Sequence, residues 1–409
     1  MTDPDFAPLK TRLAHLRYLL VADPAWYQDE EGAIWLDRLW ARDLLRHLDY
    51  ITDLTVLAPG RVLPDPLGDL VRLPDLPGLR FRHLPTGTSP VRGLLRLPAM
   101  LLVAVVAVRA ADVVHSGAAG WPIAPGFLVN TAAVLLRRPL VIVVESAFWR
   151  GDGGPRGLTG RAMGAATERL ARWSSRRARL AIFTHGDYAR DFAQGARGRV
   201  MVAPATWIEE SDILSPSEAL AAWDAKPATP RLLLAARLTE AKGIPLTLEA
   251  LEAAEARGLP LTLDIIGEGP LAPKVRALAG RLRTVRLRLL DPVPYGAAFF
   301  GLLQGYHAVL VPSTSDEQPR ILFDAFGQAV PVIASDTAGH RAAVAPGETG
   351  LRFSPGDPSA LLAAIAGADP VALRAMGLTA RDRAEGQTHR AMHLTRARAL
   401  VEVLAPASR

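Results

Sequence analysis

Short apolar runs of strand length alternate with helix-length amphipathic segments along almost the whole chain, the pattern of parallel sheets covered by helices. In the first half, strands are predicted at Leu16–Ala22, Leu54–Ala58, Leu79–Leu84, Asp112–His115, Leu140–Glu145, Leu180–Thr184 and Val200–Ala203. Ile34–Leu48 predicts a helix, because Leu36, Leu39, Trp40, Leu44 and Leu48 share one face at helical spacing. The uncharged run Leu97–Val108 predicts a buried helix of the same α/β layer. It is about half of what spans a bilayer, so no membrane crossing is expected. Arg92, Arg96 and Arg109 flank it and leave weak peripheral contact with a membrane open.

The rhythm breaks from Thr206 to Pro230, where Pro, Ser and Ala gather, and a second series begins at Arg231–Ala236. Its further strands are expected at Leu261–Ile266, Val285–Leu290, Ala308–Val311 and Pro331–Ala334, before an Arg-rich helical tail. The expected division is residues 1–205, 206–371 and a tail over 372–409. Two doubly wound α/β domains put a ligand in the crevice outside the carboxyl ends of their strands. The residues just past those ends therefore carry the search for chemistry.

Composition narrows the classes. The 409 residues are 49% hydrophobic and 22% charged, which is globular and excludes a disordered or collagen-like chain. A net charge of +6 suits phosphate-bearing ligands or an anionic surface. The Arg residues are scattered over helices such as Leu158–Ala178 rather than gathered in dense runs, so no nucleic-acid partner is expected. Cysteine is absent, which excludes disulfides, thiolate metal sites and a cysteine nucleophile and points to a reducing cytoplasm. The N-terminus lacks a secretory apolar region.

Three elements of the second half carry chemistry. After the strand ending at Ala236 come Arg237, Lys242 and Gly243, a planar cation and a point charge that together suit a diphosphate. Next, Gly267-Glu-Gly269-Pro270 makes a tight turn, with Pro270 expected at the first position of a helix. Then Ser313 opens a polar loop through Asp316, Glu317, Gln318 and Pro319 to a helix expected near Arg320, with Asp324 one turn in. Seven residues separate Asp316 from Asp324. The helix start can receive phosphate oxygens, and one carboxylate can accept from ribose hydroxyls while the other faces the sugar.

Together with Gly347-Glu-Thr-Gly350 and Pro355-Gly-Asp357-Pro358, these motifs resemble in kind and order those of the retaining glycosyltransferases of family 4. The match runs from about Arg231 to Ala366. The resemblance implies a GT-B fold: two Rossmann-like doubly wound domains facing each other across a cleft, with the C-terminal helix crossing back. It implies a metal-independent, cofactor-free enzyme that moves a sugar from a nucleoside-diphosphate sugar to a hydroxyl acceptor with retention. Arg237 and Lys242 would then hold the diphosphate, Asp324 the ribose, and Asp316 with the Glu317–Arg320 backbone the donor sugar. The family usually carries Glu at both acidic positions, and here Asp stands at both with Glu317 beside the first, so either Asp316 or Glu317 can hold the first role.

The first half departs further. In place of a Gly-rich loop stands Asp23 to Gly32, whose Asp29, Glu30 and Glu31 would repel a phosphate but can accept from sugar hydroxyls. Trp26, Tyr27, Glu31, Gly32, Trp121, Trp149 and Trp207 are the acceptor-side candidates, the tryptophans being expected on the rim of the first domain. Glu145, His115 and His185 at strand ends are candidates for proton handling, and His340 for donor phosphate. His389 and His393, four apart, lack an evident third ligand, so no metal is expected. A sugar-nucleotide epimerase and a non-catalytic glycan-binding protein are the competing readings.

Overall fold

The computed structural model describes residues 3–87, 89–118, 120, 124–150 and 157–404. Contacts divide the chain into two compact units. The first takes the chain to Glu145, Gly157–Ala203 and everything from Met392; the second takes Pro204–Ala391 and a short segment opening at Ser146.

The first unit is built on a parallel sheet in the spatial order Arg199–Val202, Leu180–Phe183, Leu140–Val144, Val113–Gly117, Arg17–Val21, Asp53–Ala58, Leu79–His83. Tyr18, Leu20, Val56, Val113, Val141, Leu180 and Ile182 sit in one buried cluster, as expected of strands covered on both faces. The second unit has the parallel order Arg286–Leu290, Thr262–Ile266, Arg231–Ala235, Ala308–Val311, Val332–Ser335, Gly350–Phe353. There Leu232 and Leu234 join one core and Leu233 the other, so the alternation along a single strand fills two hydrophobic layers.

Several expectations need correction. The helix expected over Ile34–Leu48 is Arg38–His47, because Ile34–Asp37 is a strand of a small sheet with Gly60–Val62, Trp26–Gln28 and Leu70–Arg72. Trp35 pairs with Tyr27 on one side and Arg72 on the other. The Asp37 carboxylate accepts from the N–H groups of Leu39 and Trp40 at 3.0 and 3.1 Å, which fixes the helix start.

The run Leu97–Val108 belongs to a longer helix, Pro90–Ala110, which is not a buried core helix. It is the one described helix long and apolar enough to cross a membrane, and only 28% of its most apolar window is buried. The strand Gly350–Phe353, too short and too mixed to read by pattern, closes the second sheet. The tail forms two helices, Pro370–Ala384 and His389–Leu404, of which the first belongs to the second unit.

Candidate active site

Strand Arg231–Ala235 lies inside its sheet, between Thr262–Ile266 and Ala308–Val311. Past its end the chain runs through Arg237, which is exposed, into a single tight turn, Glu240–Lys242. Gly243 follows at φ +73°, and a Cβ there would stand 2.0 Å from the Pro312 carbonyl oxygen. Gly267 has φ +143° and an equally impossible Cβ position, 1.9 Å from the Ala236 carbonyl oxygen. Gly269 packs the same way on Leu238. The glycines thus let three loops press backbone to backbone around the cations. Pro270 stays in the turn; the helix is Ala272–Ala279, and Pro273 occupies its first turn.

Lys242 Nζ donates to Glu317 Oε2 at 3.2 Å, and Ser146 Oγ donates to Glu317 Oε1 at 2.5 Å. Burial alone would raise the Glu317 carboxyl, but Lys242, the Ser146 hydroxyl and Arg237 outweigh it and hold it below its ordinary range. A carboxylate therefore already rests on Lys242, with Arg237 acting on it through its charge. Asp316, half-buried, adjoins it in the same loop. Ser313 is buried and donates to the Ala241 carbonyl at 2.9 Å, tying the acid loop to the cation turn.

Gln318 is buried, and its Oε1 meets no hydrogen-bond partner among the described residues. Pro319 leads to Arg320, whose guanidinium carbon lies 4.4 Å from the centre of the Trp207 ring. Asp324, on helix Ile321–Gly327, is buried and accepts from the Tyr295 hydroxyl at 2.7 Å. His340 is fully buried, with Nδ1 2.7 Å from the Ser335 carbonyl. That carbonyl requires a proton on Nδ1, so Nε2, without a described partner, is left as an acceptor. Burial pushes its pKa down to about 4, so the ring is neutral at pH 7.

In the first unit, His115 is buried on strand Val113–Gly117 with Nδ1 3.0 Å from the Tyr18 hydroxyl. Burial, then His47 and Arg396, hold its pKa well below the usual histidine range. His185 caps helix Gly186–Ala193, its Nδ1 accepting from the Tyr188 N–H at 3.4 Å. Glu145 Oε1 lies 3.6 Å from an Arg396 nitrogen.

Trp26 is a packing anchor: its indole N–H donates to the Ala58 carbonyl at 3.1 Å and its ring lies against Phe81. Tyr27 is a strand residue, Gly32 turns the hairpin at φ +86°, and Glu31 is exposed opposite Arg72. Trp149 and Trp207 are corrected from the first domain to the second unit, since the chain counts there at Ser146 and again from Pro204. Trp121 lies outside the described residues.

His389 and His393 do not act as a pair. His389 faces Glu209 at 3.1 Å, whereas His393 engages Asp43 through Nε2 and the Tyr50 hydroxyl through Nδ1. Asp43, His47 and His393 bring their ligand-type atoms within 4.8 Å of one another, but both His393 nitrogens are spent on hydrogen bonds and His47 Nδ1 is directed at the Asp43 carbonyl. The sequence reading missed Ser146 and Tyr295. The only available signal was their place just past strands Leu140–Val144 and Arg286–Leu290.

Two parallel α/β units of Rossmann type, with glycine-cradled cations and acids at the strand ends of the second, define a GT-B architecture. Residues 229–368, wholly within the second unit, match the family described as glycosyl transferases group 1. HepE from Anabaena, solved with UDP, is similar at 17% identity and a TM-score of 0.62, over 94% of this chain and 100% of that one. Sucrose-phosphate synthase from Thermosynechococcus elongatus is similar at 19% identity and a TM-score of 0.66, over 95% and 99% of the two chains. A UDP-forming trehalose-phosphate synthase from Burkholderia xenovorans is similar at 12% identity and a TM-score of 0.61, over 95% and 100%. No curated protein sequence matches significantly. The group 1 region and the fold support a glycosyltransferase.

Proposed function

We propose that the protein is a retaining glycosyltransferase of family 4 that uses a nucleoside-diphosphate sugar and a hydroxyl acceptor. The observation that carries this reading is the Lys242–Glu317 contact: a carboxylate sits on a cation past the end of a central strand, within the field of Arg237. A donor diphosphate would replace Glu317 there. Buried Asp324, oriented by Tyr295, would accept from ribose hydroxyls, and Asp316 or Glu317 would face the sugar. In transfer, the bond from the anomeric carbon to the phosphate oxygen breaks, and the acceptor oxygen bonds to that carbon on the same face. The acceptor's proton passes to the departing phosphate. Arg237 and Lys242 stabilise the charge that develops, so no resident metal or organic cofactor is needed.

UDP in the HepE structure and UDP formation by the trehalose-phosphate synthase make uridine donors the first to assay. On the acceptor side, exposed Glu31 is a candidate hydroxyl reader of its loop, and the protein works in the cytoplasm. The test is a thermal-shift screen against nucleoside diphosphates followed by product analysis. Ligand at a hundred times its Kd stabilises by about 2.7 kcal/mol. A glycosylated acceptor with the donor's anomeric configuration, formed in the presence of a chelator, supports the reading. A donor rearranged without acceptor, or glycan binding with no diphosphate binding, overturns it.

A further inference from the structure

We propose that the outward face of helix Pro90–Ala110 docks on an anionic lipid bilayer. In a soluble α/β protein the large apolar side chains of such a helix face inward and polar ones face water. Here the order is reversed. Gly93, Met100, Ala104, Ala107 and Val108 are buried, whereas Val91, Leu94, Leu95, Leu101, Leu102 and Val106 are exposed, Leu95 at 76% and Leu102 at 65%. The exposed set recurs at spacings of three, four and seven, so it forms one stripe along the helix. An apolar stripe of this length on a soluble protein marks a contact surface.

The charges select the occupant. From Leu76 to Ala111 the chain has no Asp or Glu, but it carries Arg80, Arg82, Arg92, Arg96 and Arg109. Arg80 is paired with Asp53; Arg82, Arg92, Arg96 and Arg109 are exposed, Arg96 donating to the Thr86 carbonyl at 2.7 Å. A second copy of the same face would set the helix's own Arg92, Arg96 and Arg109 against their counterparts, and Pro90–Ala110 carries no acid to offset them. Lipid phosphates supply the missing negative charge while acyl chains receive the leucines. The helix lies in the interface and does not cross it: the strands before and after it, Leu79–His83 and Val113–Gly117, belong to one sheet, and its inner face packs against helix Gly126–Leu135.

The experiment is cosedimentation of the full chain with phosphatidylcholine vesicles, with and without phosphatidylglycerol, at low and high salt. Binding is expected only with the anionic lipid and should weaken as salt rises. Leu95→Glu with Leu102→Glu should lower bound protein at least about tenfold, and Arg92→Gln with Arg96→Gln should lower it and flatten the salt dependence. Because these side chains are on the surface, thermal unfolding and nucleoside diphosphate binding should match the wild type, which separates loss of docking from loss of fold. No sedimentation with either vesicle, or equal binding by the leucine variant, overturns the proposal. So does a concentration-dependent dimer in lipid-free buffer that the leucine variant abolishes, which would make the face a self-contact.

Discussion

Two loops follow equivalent interior strands of the two sheets, Arg17–Val21 in the first unit and Arg231–Ala235 in the second, and they spend their residues differently. In the second unit the turn yields Arg237 and Lys242, and the neighbouring Gly267 turn is pressed so closely that no side chain fits. In the first unit the chain instead builds a small sheet. Asp29 accepts from the N–H groups of Glu31 and Ala33 at 3.1 and 2.8 Å and from the Trp35 indole at 2.8 Å. Those donors, the Trp35 indole first, hold its carboxyl below its ordinary range. One loop presents two cations past a strand end; the other uses a carboxylate to hold itself together. A polar residue at a strand end is thus weak evidence of a ligand site when, like Asp29, it is spent on hydrogen bonds within its own loop.

The sharpest way to break this contrast is to add one methyl to each loop. Gly267→Ala meets both an unfavourable φ and a backbone oxygen 1.9 Å away, so unfolding in urea should show a loss of about 3 kcal/mol or more. Gly32→Ala meets only the φ of +86°, with its nearest neighbour a side-chain atom at 3.7 Å, and should cost about 1–2 kcal/mol. Equal costs would mean that the second loop is not uniquely crowded. Lys242→Ala should weaken nucleoside diphosphate binding by about 1.5–3 kcal/mol, tenfold or more by calorimetry. Glu317→Gln should bind diphosphate no worse than wild type, because it removes the negative charge that competes for Lys242. A weaker-binding Glu317 variant would end the account of Glu317 as a stand-in for phosphate.

The same contrast explains what was legible in sequence. Gly267, Gly243, Lys242 and Asp324 were readable because the backbone approach or the charge demands those residue types locally. Ser146 and Tyr295 were not, since their partners Glu317 and Asp324 lie 171 and 29 positions away and only tertiary folding joins them. Trp26 read as a rim aromatic, yet packing on Phe81 consumes its face. Helix Pro90–Ala110 was recognisable as apolar, but nothing in the periodicity says which side the sheet covers. The parallel strands themselves were nearly all readable, because burial on both faces makes them continuous apolar runs.

Each unit also holds a buried neutral histidine, His115 on strand Val113–Gly117 and His340 on helix Ala338–Ala343, and acid compares them. His340 has its pKa pushed to about 4 by burial, below the unfolded value of 6.5. The unfolded chain therefore takes up a proton first as pH falls: the contribution is complete above pH 6.5 and is lost towards pH 4. Between pH 7 and pH 5 this histidine should account for about 2 kcal/mol, read as the difference in pH slope between wild type and His340→Gln in urea titrations. His115 shifts in the same direction, burial leading. The residual slope in the His340 variant should therefore flatten further when His115→Gln is added.

The smallest effect tests whether the acidic hairpin is only structural. Glu31 is 77% exposed and its contact with Arg72 is a surface pair at 3.4 Å, so Glu31→Gln should change stability by less than about 1 kcal/mol. Asp29→Asn should cost more, because it weakens three accepted hydrogen bonds at once. With stability unchanged in Glu31→Gln, any change in turnover reports substrate contact directly. The expected outcome is a severalfold rise in acceptor KM with donor KM unaltered, since a carboxylate accepts more strongly from a hydroxyl than an amide does. If both constants stay at their wild-type values, Glu31 reads no acceptor, and the hairpin's acids serve the fold alone.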